Sequence, residues 1–381
     1  MTTPLRVAVL GGGTVGREVI RALLDRGESL RPNDGAALRL AGVAVRDVAR
    51  AAAGGIPAEL LTDAPAHLSA APDVDVIVEL IGGEEPARTL VSAALGAGRA
   101  VVTANKHLLA HHGPELEALA RRTGAALRFE AAVGGGIPVL SPLASDLAGD
   151  VISRVRGIVN GTTNYILTAM ADEGRAYDDV LADAQAAGYA EADPTADVEG
   201  LDAANKLVIL ARLAFGTWLD PVSIPNRPAR SGAGGAGGAG GFGAPGITGV
   251  TADDIAEAAA RGLRLKLIAL AERSLDGVAG SIVARVLPSA VPVASPLGMT
   301  SGVLNRIEVD AEPLGRVAFV GPGAGGAATS SAVLGDLIAI ARGLGSTWAG
   351  LPEAGLGRVA RAPAGTTFDA PSGARYPVLD A

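Results

Sequence analysis

Lysine is the scarcest charged residue in this chain, so its three occurrences are where chemistry is sought first. Of the 32 basic residues only Lys106, Lys206 and Lys266 are lysine; all others are arginine. A guanidinium stays protonated in proteins, whereas an amine can lose its proton and serve as acid or base. The retained amines are therefore candidate proton carriers. Lys106 closes the run Val102-Thr103-Ala104-Asn105-Lys106, and burial beside a ligand would disfavour its ammonium form. Asp202 and Lys206 stand four apart, sharing one face of a helix. The Leu207-Val208-Ile209-Leu210 run that follows predicts a buried helix, not a solvated ion pair. Glu191, Asp197 and Asp202 converge nearby in sequence, and buried carboxylates need cationic partners, which Lys206 and a substrate ammonium would supply. Lys266 alternates with Leu265 and Leu267, which predicts the exposed face of a half-buried strand, far from these motifs.

Four further patterns bear on ligands. Gly11-Gly12-Gly13-Thr14-Val15-Gly16 fits G-x-G-x-x-G. Its first glycine allows a tight turn, its second a close pyrophosphate, and its third close packing of a helix whose N-terminus faces negative charge. Gly11, Gly13, Thr14, Val15 and Gly16 are thus expected to bind a dinucleotide. The next strand ends Val45-Arg46-Asp47, offering a cation for a 2′-phosphate and a carboxylate for a ribose hydroxyl. Arg46 comes first and Arg50 follows, which favours NADP, with NAD the alternative. Asn160-Gly161-Thr162-Thr163-Asn164-Tyr165 sets more hydrogen-bonding side chains before an apolar helix than a cap requires, and Thr162 is a candidate substrate contact. Glu130 with Val133, Gly135 and Ile137 can present carbonyls to a monovalent cation; a plain glycine turn is the alternative. The four histidines lack metal-ligand spacing with carboxylates, and His111-His112 reads as a helix surface.

The elements that must hold these residues come in two textures. Residues 5–10, 38–45, 74–80 and 100–103 are apolar strand candidates alternating with helical runs. That alternation predicts an α/β fold, a Rossmann-type doubly wound parallel sheet covered on both faces. Lys106 would then stand at the carboxyl end of a strand, where such sheets bind ligands. After a glycine segment at 133–138, helices are expected to about residue 215 and strands from 263 to 320, an α+β second domain. The predicted organisation is a dinucleotide-binding domain at 1–137, completed by 320–345, and a second domain at 138–319 with a Gly/Ala-rich linker at 229–246. Residues 346–381, with Pro and Gly scattered throughout, read as a flexible tail.

Composition removes several function classes. With no cysteine there are no disulfides, no Cys-ligated zinc and no thiol nucleophile. A net charge of −8 without a basic cluster argues against nucleic acid. The N-terminus lacks a signal-peptide pattern and apolar runs break before a membrane-spanning length, so a cytoplasmic protein without membrane contact is expected.

Together the motifs resemble the homoserine dehydrogenase family over residues 5 to 345. The T-A-N-K strand end is Thr103 to Lys106, and N-G-T-T-N-Y is Asn160 to Tyr165. The most specific stretch, G-Y-x-E-x-D-P then D-x-x-G-x-D-x-x-x-K, is Gly188 to Pro194 and Asp197 to Lys206. The resemblance implies hydride transfer between L-homoserine and L-aspartate 4-semialdehyde. Lys206 would donate and accept the proton, Lys106 would assist beside the nicotinamide, and Glu191 and Asp202 would hold the amino acid. Gly82, Gly188 and Gly323 would approach the cofactor, and Glu130, Val133, Gly135 and Ile137 would bind sodium. It also implies a homodimer, with 138–319 as substrate-binding, catalytic and dimerisation domain, and a place in threonine, methionine and isoleucine biosynthesis. Nothing after 345 resembles the βαββαβ regulatory domain of longer relatives. An aspartate-semialdehyde dehydrogenase would need a cysteine nucleophile, absent here. A catalytically inactive dinucleotide-binding regulator, the remaining alternative, would be expected to have lost Lys206, Lys106 or Glu191.

Overall fold

The computed structural model describes residues 3–30, 36–230, 242–276, 278, 280–363 and 365–380. The chain divides into two compact units, Met1–Ala148 with Ala324–Gly355, and Gly149–Gly323 with Leu356–Ala381.

The first unit is built on strands β1 (Leu5–Leu10), β2 (Leu38–Ala44), β3 (Leu61–Thr62), β4 (Val76–Glu79), β5 (Ala100–Thr103) and β6 (Leu127–Arg128). They form one parallel sheet in the order β3-β2-β1-β4-β5-β6, the doubly wound arrangement of dinucleotide-binding folds. Val7, Val9, Val76, Val78 and Val102 are wholly buried because helices cover both faces, which is why these strands read as continuous apolar runs. The helix Thr14–Arg26 contributes Val19, Ile20 and Leu23 to a core shared with Val333 and Leu337 of the helix Gly326–Ala341. Each such side chain, fully buried, is worth about 1.5–3 kcal/mol. Strand order reverses between β1 and β4, so the crevice at their carboxyl ends is where a ligand fits such a sheet.

The second unit carries β7 (Val151–Ile158), β8 (Ala229–Arg230), β9 (Leu263–Arg273), β10 (Ser281–Pro292), β11 (Leu304–Glu312), β12 (Gly315–Pro322), β13 (Arg358–Ala360), β14 (Thr367–Asp369) and β15 (Ala374–Pro377). A mixed sheet runs β12-β11-β7-β9-β10-β13, and a small one β14-β15-β8. The helix Leu201–Phe215 is buried on nearly every side, as its all-round apolar sequence requires.

Three expectations are corrected here. β7 lies inside the mixed sheet, in a stretch expected to be helical. Its apolar alternation is interrupted by Arg154 and Arg156, which are paired across the sheet: Arg156 Nε donates to Glu308 (3.0 Å) and Arg154 Nε to Glu272 (2.9 Å). Lys266, expected on an exposed face of β9, is only 1% exposed. The 346–381 segment is no loose tail. Thr347 N donates to Leu127 O (3.0 Å) in the first unit. β13 pairs with Ser281–Val283 of β10, and Phe368, Tyr376 and Leu379 are buried in the second unit. A buried carboxylate organises this end. Asp254 accepts from Ser372 N (2.9 Å), Ser372 Oγ (2.7 Å) and Tyr376 Oη (2.8 Å), and without such donors its burial would be costly. Of the expected linker, residues 231–241 lie outside the described residues. Beside them Ala229–Arg230 is strand, and Gly246 N donates to Asn226 O (2.7 Å).

Candidate active site

In the second unit β7 turns at Val159-Asn160 into the helix Gly161–Glu173. Asn160 caps that helix: its Oδ1 accepts from Thr163 N (2.9 Å) and Thr163 Oγ1 (2.9 Å). The other end of the same amide joins two acids, Nδ2 donating to Asp197 Oδ1 (2.7 Å) and Asp202 Oδ2 (2.9 Å). Asp202 Oδ2 also accepts from Lys206 Nζ (2.7 Å), which donates a second bond to Val159 O (2.6 Å). The spacing of four has thus produced a buried pair, Asp202 and Lys206 being 7% and 8% exposed. Such a pair is tolerable because each charge keeps several hydrogen bonds. Burial, reinforced by the charge of Asp202, pushes the Asp197 carboxyl above the ordinary carboxylate range, against the opposing pull of Asn160 and Lys206.

Thr162 Oγ1 donates to Tyr189 O (2.7 Å), tying the helix start to the loop in which Gly188 takes a positive φ of 75°. Glu191 is not drawn into the cluster: its side chain is exposed, and its carbonyl accepts from Gln185 Nε2 (3.0 Å). Gly323 follows β12 against the Asn305 side chain, where a Cβ would fall 2.0 Å from Oδ1, so a larger residue would have to displace that amide.

In the first unit the glycine loop has the geometry its pattern implies. A Cβ on Gly11 would lie 2.6 Å from Leu80 O, and one on Gly16 2.0 Å from Gly11 O. Gly13 faces open space, with nothing within 4 Å of its would-be Cβ. No side chain caps the helix Thr14–Arg26, so its leading N–H groups suit an anion, and Thr14 is exposed there. Arg46 is exposed just past β2. Asp47 caps the next helix by accepting from Arg50 N (2.9 Å), which engages its carboxylate locally.

Two residues that sequence did not single out arrange the rest of this crevice. Glu79, fully buried, accepts from Ile81 N (2.8 Å) and Gly82 N (3.0 Å) through Oε1 and from Thr103 Oγ1 (2.6 Å) through Oε2. Asn105 Nδ2 donates to Gly83 O (2.7 Å), while its Oδ1 caps the helix Lys106–Thr123 through Leu108 N (3.0 Å). Gly82 and Lys106 are therefore set by one network across the ends of β4 and β5. An ionisable residue ending an otherwise apolar strand was the available signal for Glu79.

The cation candidate lies in the same unit. The Glu130 carboxylate accepts from Val139 N, Leu140 N and Ser141 N (2.8 Å each) and from Ser141 Oγ (2.6 Å). The side chain is engaged in this turn, so only the main-chain carbonyl of Glu130 could serve a cation here. Val133, Gly135 and Ile137 are buried, and among the described residues their carbonyls accept no hydrogen bond. Among the described residues no group of acidic or histidine side chains could hold a metal, and His112 Nε2 instead meets Glu84 Oε1 at 2.7 Å.

Comparison with known proteins agrees with both halves of this description. A protein of Mycobacterium tuberculosis named homoserine dehydrogenase is 47% identical over 340 residues, 89% of this chain and 73% of that protein. The crystal structure of a homoserine dehydrogenase from Thiobacillus denitrificans superposes with a TM-score of 0.81 at 38% identity, covering 95% of this chain and 79% of that one. A hyperthermophilic archaeal homoserine dehydrogenase solved in complex with NADPH gives 0.69 at 25% identity, covering 88% and 97%. The family model for homoserine dehydrogenase matches residues 138–338, and that for the homoserine dehydrogenase NAD binding domain matches 11–130. By family model, sequence identity and fold alike, this chain belongs to the homoserine dehydrogenase family.

Proposed function

We propose that this protein interconverts L-homoserine and L-aspartate 4-semialdehyde with NADP(H), using Lys206 as its proton carrier. One observation carries the reading: the Lys206 amine is held between the Asp202 carboxylate and the Val159 carbonyl, with the Asn160 amide bracing Asp202 from the other side. Two of the three ammonium N–H groups are used there, and the third is available to a substrate oxygen. In reduction Lys206 gives a proton to the oxygen developing negative charge at the terminal carbon; in oxidation the neutral amine takes the hydroxyl proton. Asp197, Asp202 and Glu191 provide negative charge for the substrate ammonium, and Thr162 fixes the loop that leads to Glu191. The nicotinamide, when bound, supplies or receives the hydride.

The glycine loop and the uncapped helix N-terminus fit a pyrophosphate, and Arg46 fits a 2′-phosphate because Asp47 is already engaged in capping. The archaeal relative's NADPH supports the same choice. Lys106 assists beside the nicotinamide, Gly82, Gly188 and Gly323 line the cofactor's approach, and the carbonyls of Glu130, Val133, Gly135 and Ile137 hold sodium. On the same reading the enzyme is a cytoplasmic homodimer serving threonine, methionine and isoleucine biosynthesis. No helix among the described residues is long and apolar enough to cross a membrane. The test is consumption of NADPH with aspartate semialdehyde and formation of NADPH from homoserine. Absence of turnover in both directions, with NADH also inert, would refute the reading.

A further inference from the structure

Lys266 has no place in that chemistry, yet its setting is an unusual one for a lysine. It lies within β9, buried, and its Nζ donates to Asn164 Oδ1 (2.8 Å), Thr168 Oγ1 (3.0 Å) and Thr300 O (2.8 Å). Three oxygens from two segments of chain match the three N–H groups of an ammonium, and none belongs to a carboxylate. A planar guanidinium could not make this set, which gives a reason for lysine in a chain that otherwise uses arginine. The charged groups that bear on it, Arg264 and Asp172, are paired with each other (2.7 Å).

The contact with Asn164 leads back to the active site. Asn164 stands one turn along the helix from Asn160, and its amide is held at both ends, by Lys266 at Oδ1 and by Leu304 O at Nδ2 (3.1 Å). Gly161 closes the same turn against β11's approach, where a Cβ would lie 2.8 Å from Val303 O. The first turn of Gly161–Glu173 is therefore fixed from behind, and on its front edge Asn160 holds Asp197 and Asp202 while Val159 O receives Lys206. We infer that Lys266 is a positioning residue for the reaction: through Asn164 it fixes the helical turn whose Val159–Asn160 corner sets the Asp202–Lys206 pair. This rests on the proposed role of Lys206.

The test uses the full-length enzyme with homoserine and NADP. Lys266→Met keeps chain length but removes all three bonds. Its kcat is expected to fall by about 10-fold or more, since a misplacement of about 1 Å can cost 10²-fold, and the pH profile of kcat/KM should shift. Its affinity for NADPH should stay within about twofold, because the glycine loop and Arg46 lie in the other unit. Thr168→Val removes the contact one turn further on; it should lower Tm while leaving kcat/KM and the pH profile unchanged. Asn164→Ala should reproduce the kinetic loss of Lys266→Met, and the double variant should be no worse than the poorer single one. Wild-type kcat in either Lys266→Met or Asn164→Ala overturns the inference, as do losses that multiply in the double variant. If Lys266→Met does not fold, the contrast between Asn164→Ala and Thr168→Val decides alone. Wild-type enzyme inert toward homoserine would instead be a failure of the proposed function, and would remove the inference with it.

Discussion

Asn160 makes two kinds of interaction from one amide, and two substitutions separate them. Its Oδ1 caps the helix Gly161–Glu173 through Thr163 N, and its Nδ2 joins Asp197 to Asp202. Asn160→Ser keeps a capping oxygen but has nothing to reach the acids; Asn160→Ala loses both. A cap is worth about 1 kcal/mol. A hydrogen bond to a charged group is worth about 1.5–3 kcal/mol, and the two carboxylate bonds share one network, so they will not add fully. The expected destabilisation is about 3 kcal/mol for serine and about 4 kcal/mol for alanine, or roughly 6–12 °C in Tm for serine in a unit of this size. The cost should depend on pH. Asp197 already sits above the ordinary carboxylate range, and losing its donor raises it further. A raised folded-state value means stability present below the unfolded pKa and lost as pH rises through the folded one. The gap between variant and wild type should therefore narrow in mildly acidic buffer and widen near neutrality. Homoserine turnover should fall about 10²-fold in both variants, because both lose the bridge that orients Asp202 against Lys206. Thermal melts at two pH values and steady-state kinetics decide it. Serine restoring wild-type turnover while alanine does not would show that Asn160 acts only as a cap, and that the Asp202–Lys206 pair needs no brace.

Lys206→Arg keeps a cation beside Asp202 but cannot cycle a proton, so turnover should drop about 10²–10⁴-fold with a small change in Tm; near-normal turnover would exclude Lys206 as the acid–base group. Arg46→Ala should raise KM for NADPH about 10-fold and leave NADH unaffected, as expected for loss of one charge-assisted phosphate contact. Equal effects on both cofactors would move the 2′-phosphate elsewhere. On the proposed sodium site, replacing sodium with a bulky organic cation should lower Tm and activity together, because the carbonyls of Glu130, Val133, Gly135 and Ile137 would lose their ligand; a Tm indifferent to the cation would exclude the site. Tyr376→Phe removes one bond to buried Asp254 and should cost about 1.5–3 kcal/mol in the second unit, measured by denaturant unfolding.

How far these features could be read in advance depended on whether neighbouring residues or distant ones decide them. The parallel sheet and glycine loop were readable because both are local: β1 is apolar throughout, and the turn at Gly11 needs backbone freedom at one position, where φ is 109°. The Asp202–Lys206 pair was readable for the same reason, its partners being one helical turn apart. Asn160, by contrast, reaches 37 residues to Asp197 and 42 to Asp202. Glu79 reaches 24 to Thr103. Spacing along the chain holds no trace of either. The C-terminal segment failed for this reason too: Asp254 and Tyr376 are 122 residues apart, and neither looks unusual without the other.

Strands β7 and β9 show a second limit. Period-two alternation tells which residues share a face, but not whether something covers it. In β9 the face bearing Lys266 is covered by the helix Gly161–Glu173, which brings Asn164 and Thr168 to the amine. In β7 Arg156 is covered and meets Glu308 and the carbonyl of Asp380. At Lys266 a charge on a strand was read as a mark of solvent, whereas in both strands such charges mark the places where partners from other elements had to be supplied. A buried cation left without partners destabilises a core by several kcal/mol, so each must come with a fixed set of acceptors. At Lys266 two of the three acceptors belong to the helix that Asn160 caps. The residue that looked least connected to the chemistry is thus the one whose burial ties the sheet to the catalytic corner.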